Sequence, residues 1–338
     1  MNAKSFWAGY SLTGVAFLLI TLACDTLDVT RPSTGGDRGI APTSATADLL
    51  ALTGRIAFVR NGHIYTMNAN GTDTTRLTHS TAADETPAWS PGGTRIAFVR
   101  SRTVNGVLLG RAIFVMNANG SGVARLTQDT AFALDPSWSP DGTKIAFAAL
   151  PPGTGPRATE IFVMKVDGSG VTRLTKNLPF QGCGGVSRGF EHSPSWSPDG
   201  TRIAFLHKTT CFSNDIDVMK ANGTGITRLA NAGLARRLAW GRSGKIAFDA
   251  HVWPGEGLSD GEIAVLTVST KVVTRLTNNT AEDRSPAWSP DGSKIAFASN
   301  RAASSTGPLQ IYVMNPNGTG VTRLTNNQAS DDEPAWGR

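Results

Sequence analysis

The sequence predicts an all-β protein, a six-bladed β-propeller with four antiparallel strands per blade. Three observations carry that prediction. Four short motifs recur six times in a fixed order, turn-forming residues recur between them, and the composition is skewed by the same repeats. The 338 residues are 40% hydrophobic and 17% charged, an ordinary globular balance, yet they hold 37 Gly, 18 Pro and eight Trp against three Tyr. That much Gly and Pro argues against a helical protein. Length alone would allow two domains.

The first motif, Ile-Ala-Phe, begins at Ile56, Ile96, Ile145, Ile203, Ile246 and Ile295. The second begins at Ile64, Ile113, Ile161, Ile216, Ile263 and Ile311 and reads Ile-Tyr/Phe-Val-Met in three copies and a close variant in the others. The third is Thr-Arg-Leu-Thr or a close variant, centred on Arg76, Arg125, Arg173, Arg228, Arg275 and Arg323. The fourth, Pro-Ala/Ser-Trp in most copies, carries Trp89, Trp138, Trp196, Trp240, Trp288 and Trp336. Each run is short, rich in β-branched or aromatic residues and bounded by turn chemistry, which is how a strand reads. In Ser139-Pro140-Asp141-Gly142 and its relatives at 197–200 and 289–292, Pro presets φ and Gly permits a tight reversal. Asn68-Ala69-Asn70-Gly71 and its relatives supply residues that tolerate left-handed backbone in a hairpin. The turns at 241–244 and 268–271 depart from both patterns, so the fifth unit is expected to be the most irregular.

The first unit opens at Gly54-Arg55-Ile56 without a preceding Trp motif, and Pro334-Ala335-Trp336 has no partner after it. The C-terminal strand is therefore expected to complete the N-terminal blade, closing the ring and removing its open edges. Within a blade the Trp strand is expected innermost, followed outward by the Ile-Ala-Phe, Ile-Tyr-Val-Met and Arg-Leu-Thr strands.

Ahead of the ring, residues 1–23 read as an export signal: Lys4, an apolar run from Val15 to Ile20, then small residues. Ala23-Cys24 resembles the lipobox of bacterial lipoproteins, with Thr21 where that motif usually has Leu, and implies lipidation of Cys24. Residues 24–53 lack apolar periodicity and read as a flexible tether, leaving 54–338 as the propeller.

The run Pro136-Ser137-Trp138-Ser139-Pro140-Asp141-Gly142-Thr143-Lys144-Ile145-Ala146-Phe147 resembles the repeats of TolB-type propellers, also described as WD-type repeats, and the resemblance covers 54–338. It implies an exported envelope protein, periplasmic or at the cell surface, that binds a protein or peptide partner and is membrane-attached through its lipid. TolB itself carries an additional N-terminal α/β domain, where this sequence shows only the tether.

The two fixed turns of each unit fall on one face of the ring, so all length variation falls on the other, at 101–111, 150–159, 176–193, 207–214, 250–261 and 300–309. Loops free of repeat constraint are where binding residues usually sit. Acidic residues precede most Trp strands there: Asp84 and Glu85, Asp135, Glu191, Glu282 and Asp283, then Asp331, Asp332 and Glu333. A ring of them around the channel mouth would favour a cation or a basic partner segment; as solvated strand starts they would do neither. Arg236 and Arg237 hold the equivalent place in the fifth unit and would neutralise part of such a ring. All five histidines, His63, His79, His192, His207 and His251, map to the same face, but no i, i+2 or i, i+4 spacing brings two together locally. Cys183 and Cys211 sit in neighbouring loops, and export makes a disulfide between them an expectation.

The formal charge of +6 does not imply nucleic acid. Six outer-strand Arg and six basic residues opening the second strands are repeat positions, spread around a ring rather than gathered into a patch. The expected function is a non-catalytic, monomeric scaffold without a cofactor. The alternative is a carbohydrate-active lyase or hydrolase using acids or His192, His207 and His251 at the channel mouth.

Overall fold

The computed structural model describes residues 52–338 apart from 153–158, 177, 180–189, 212, 253–257 and 303–306. The signal and all but the last two residues of the tether, with Cys24, lie outside the described residues, as does Cys183.

Twenty-four strands form six four-stranded antiparallel sheets. The first blade combines β1 (Arg55–Arg60), β2 (His63–Asn68) and β3 (Thr75–Arg76) with the last strand, β24 (Asp331–Gly337). The second holds β4 (Asp84–Trp89), β5 (Arg95–Val104), β6 (Val107–Asn117) and β7 (Ala124–Arg125). The third holds β8 (Leu134–Trp138), β9 (Lys144–Ala149), β10 (Glu160–Lys165) and β11 (Thr172–Arg173). The fourth holds β12 (Glu191–Trp196), β13 (Arg202–Thr210), β14 (Ser213–Lys220) and β15 (Thr227–Asn231). The fifth holds β16 (Leu238–Trp240), β17 (Lys245–Val252), β18 (Leu258–Thr267) and β19 (Val272–Arg275). The sixth holds β20 (Asp283–Trp288), β21 (Ile295–Ser299), β22 (Gln310–Met314) and β23 (Thr322–Arg323). Strand order within each blade and closure by the C-terminal strand are as the repeats predict. The fifth blade has the shortest inner strand.

Period-2 alternation explains the packing. In each Ile-Ala-Phe strand, Ile and Phe point to one side and Ala to the other, and all six Phe are buried. Trp89, Ile96 and Phe98 of the second blade pack on Ala57 and Ile64 of the first. The same large-onto-small contact is repeated around the ring to Trp336, Ile56 and Phe58 on Ala296, Ala298 and Ile311. In four blades the Phe also stacks on an aromatic of the third strand, at centroid distances of 5.7 to 5.9 Å.

The third motif ends in Thr for a backbone reason. The outer strands are mostly two residues long, and the Thr hydroxyl beyond them takes over from the ladder: Thr78, Thr127, Thr175, Thr277 and Thr325 Oγ1 each accept the N–H of the second-motif Ile at 2.9 Å. The fourth blade has Ala230 instead, and its outer strand runs on to Asn231.

Ring closure also rests on an ion pair. Arg60 at the end of β1 donates to both carboxylate oxygens of buried Asp331 in β24, at 2.5 and 2.7 Å. Removing one partner of such a pair leaves a desolvated charge, so Asp331→Ala should cost about 3 kcal/mol. Denaturant unfolding beside Lys271→Ala, a surface control expected to be near neutral, measures it.

Candidate functional site

The acids that precede the Trp strands fall into two tiers. The first residue of the inner strand lies between strands and does not face the mouth. Asp84, Asp283 and Asp331 are fully buried and bind Arg100 (2.6 and 2.9 Å), Arg301 (2.7 Å) and Arg60 respectively. Glu191 occupies the same place in the fourth blade, but opposite it the arginine is replaced by His207. His207 is turned to other partners, Asp217 at 2.9 Å and the Pro179 carbonyl at 3.0 Å. Burial lowers its basicity, but Asp217 more than compensates and the imidazole is held above its ordinary value. Neither Glu191 oxygen has a hydrogen-bond partner among the described residues, and burial, with Glu160 nearby, pushes its carboxyl up to about 8.

The second tier faces the channel. The residue before the Trp motif is left-handed in five blades, Thr86, Asp135, Ser193, Ser285 and Glu333, with φ between 51° and 55°. Non-glycine residues pay of order 1 kcal/mol for this conformation. It bulges each inner strand and presents backbone N–H groups to carboxylates. Thr86 N–H donates to Glu333 at 2.6 Å, Ser193 N–H to Asp135 at 3.0 Å, and Ser285 N–H to Asp249 at 3.1 Å. Asp249 also accepts the N–H groups of Arg236 (2.8 Å) and Arg237 (2.9 Å).

In the fifth blade Arg237 is followed by Leu238 instead of proline, and its side chain crosses the axis to Asp135 of the third blade and Glu333 of the first (2.5 Å). Burial works against the Arg237 charge, but Asp135 and Glu333 outweigh it and hold the guanidinium above its ordinary value. Burial pushes the Glu333 carboxyl up, with Arg237 opposing. Beside them Arg284 binds Glu282 (2.7 Å) and Asp332 (2.6 Å).

This layer separates two cavities that share Thr86, Asp135, Arg237, Ser285 and Glu333. On the short-turn side a space of about 320 Å³ is lined by all six repeat tryptophans. On the loop side the mouth opens into about 970 Å³. Of the residues singled out from sequence, Glu85, Asp135, His192, His251 and Asp332 line the mouth. Asp84, Glu191, His207, Asp283 and Asp331 do not. Among the described residues no three or more His, Cys, Asp or Glu side chains gather as a metal site. Cys211 is disulfide-bonded.

Sequence reasoning missed Asp249, Arg284, Lys208 and Asn214, all in the mouth lining. Asp249 alone had a readable signal, an acid directly after Ile-Ala-Phe where other units have Val, Ala or Leu. One nucleophile-like spacing is also present, Gly185-Val186-Ser187-Arg188-Gly189, outside the described residues. Its catalytic meaning depends on a strand-to-helix turn over an α/β sheet, whereas it lies here between two propeller strands.

Fold and mouth define the class: a closed six-bladed β-propeller with one invariant and one variable face. The chain is similar to TolB-type propeller proteins over part of its length. The family model of the TolB beta propeller domain matches residues 255–338. A TolB homolog of Chlorobium luteolum is 32% identical over 129 residues, 38% of this chain and 27% of the relative. The chain thus matches about a quarter of the length of such relatives. TolB from Acinetobacter baumannii superposes with a TM-score of 0.65 at 22% identity, over 84% of this chain and 66% of that one. An oligogalacturonate lyase from Vibrio parahaemolyticus shares the fold at a TM-score of 0.53 and 13% identity, over 77% of this chain and 74% of that one.

Two predictions test the charge tiers. Arg237→Met leaves Asp135 and Glu333 without their counter-ion and should cost about 3–5 kcal/mol at neutral pH. The deficit should shrink toward pH 4 as the Glu333 carboxyl, which burial pushes up, protonates, as read by denaturant titrations at the two pH values. For Glu191, the folded value of about 8 lies above the ordinary 4.5. Its stabilising contribution is full below pH 4.5 and is lost as pH rises to about 8, at ~1.4 kcal/mol per pH unit. Glu191→Gln should therefore flatten the decline in stability across that window, and parallel wild-type and variant curves would contradict it.

Proposed function

We propose that the protein is an exported, lipid-anchored TolB-like propeller that acts as a non-catalytic scaffold, holding a protein or peptide partner on its loop face. The observation that carries this reading is the mouth, a cavity of about 970 Å³ floored by the Arg237 network. A ring locked by six interlocking cores holds the described lining in place, which lowers the ordering cost of binding. The likeness to TolB homologues supports placement in the cell envelope. Thr53, whose carbonyl accepts the Trp336 indole N–H at 3.1 Å, lies on the short-turn side. The second reading, a carbohydrate-active lyase or hydrolase, draws on His192 and His251 sharing the mouth.

Affinity capture from solubilised envelopes, with wild type and a variant whose β5–β6 hairpin is shortened by removing its exposed tip around Asn105-Gly106, separates the readings. Partners held by wild type should fall about tenfold in the variant. Equal capture by both, or turnover of acidic oligosaccharides abolished by His192→Ala or His251→Ala, would overturn the scaffold.

A further inference from the structure

The repeat's charge pairing is kept in three blades. In the first, second and sixth an arginine on or just beyond the second strand is consumed by the buried aspartate of the inner strand, whereas the third blade has Ala133 and Ala149 in those places. In the fourth blade His207 takes that place, and the cation moves one residue along, to Lys208. A one-residue shift along a strand changes the face on which a side chain lies, and Lys208 lines the mouth. Its ammonium group sits 5.9 Å from the Phe190 ring centroid, and among the described residues it has no carboxylate partner.

In the fifth blade Ala235 holds the place of that buried acid, with Arg236 and Arg237 after it, while the acid, Asp249, is on the second strand and is saturated by three backbone N–H groups. Arg237 is spent on Asp135 and Glu333. Arg236 is not: its nearest carboxylate, Glu282, lies at 3.6 Å and is already bound by Arg284 at 2.7 Å, and the Arg236 side chain is 61% exposed.

Lys208 and Arg236 are held near each other. Lys208 pairs across the strands with Asn214, whose amide donates to the carbonyl of Ala235, the residue before Arg236. Two cations without a hydrogen-bonded acid thus flank one side of a cavity in which Arg237 and Arg284 are hydrogen-bonded to acids and Arg111 lies 3.6 Å from Glu85, beside the apolar surface of Leu134, Phe190 and Leu234.

We propose that this side of the mouth is an anion subsite in which Lys208 and Arg236 receive the carboxylates of an acidic peptide segment. This rests on the scaffold reading and specifies its ligand. The apolar neighbours favour a peptide, whose acids stand on methylene stems, over an acidic sugar, whose ring hydroxyls would be buried there without partners.

Fluorescence anisotropy of the full-length protein with fluorescein-labelled hexaglutamate tests the assignment, with hexalysine and trigalacturonate as unlabelled competitors. Hexaglutamate should bind, more weakly as salt rises. The double variant Lys208→Gln/Arg236→Gln should lose about tenfold or more in affinity, while Arg242→Gln on the short-turn face stays within about twofold. Absent hexaglutamate binding, equal binding by the double variant, or stronger competition by hexalysine overturns the proposal. Displacement by trigalacturonate at lower concentration than by unlabelled hexaglutamate overturns the peptide and assigns a sugar acid. A folded double variant that still captures the wild-type envelope partners sinks the subsite and leaves the scaffold standing. Hexaglutamate binding with the stated dependence, beside no specific envelope capture, does the reverse.

Discussion

The structure depends on one contact made six times, in which the Trp, Ile and Phe face of a blade sits on the small Ala-centred face of the blade before it. A four-stranded sheet with two apolar faces cannot bury both alone. Each blade is therefore stable only between neighbours, and a row of blades always leaves two faces wet until its ends meet. Here the ends meet through Trp336 and Asp331, which belong to the last strand but complete the first blade. Ala is required at the centre of the receiving face because a larger residue would meet the incoming Phe directly.

Against that sixfold constraint, departures from the repeat are informative, since the ring does not demand them. They concentrate in two adjacent blades. Asp217 and Ala264 stand opposite the Ile-Ala-Phe phenylalanine where four blades have an aromatic, Ala230 replaces the capping Thr, and Leu238 replaces the Pro before Trp. His207, with Lys208 after it, stands where the first two blades have arginine, and Ala235 stands where four blades have the buried acid. These changes give up a stacking contact, a cap or an ion pair that most of the other blades keep. Local rules broken together, beside the larger cavity, are what a working site looks like when the rest of the fold supplies its stability.

The architecture was legible in the sequence because it is written locally. Turn residues, period-2 alternation and the Trp spacing act over a few positions, and their recurrence removed the usual ambiguity of short apolar runs. The division of the acids was not legible, because it turns on backbone geometry. Asp331, Asp332 and Glu333 are consecutive, yet the first is buried against Arg60, the second reaches Arg284 and the third reaches across the channel to Arg237. A left-handed residue separates these directions, and nothing in the identity of Thr86, Ser193 or Glu333 announces one. The following Pro gives no hint either, since pre-proline residues favour extended backbone. Arg237 was legible as a neutralising charge but not as a bridge, because its partners lie 96 and 102 residues away.

That bridge decides what kind of cavity the mouth is. An open propeller channel would admit a ligand from either face. Here a single guanidinium, contributed by the fifth blade, ties together the first and third at the axis, and the oxygens of Asp135 and Glu333 not facing it are held by N–H groups of the fourth and second blades. Five blades thus converge on one charge cluster, and Asp249, through Ser285 N–H, brings in the sixth. Opening this layer would strand three desolvated charges at once, so it acts as a floor. The loop-side cavity is then blind, closed toward the short-turn face by that layer.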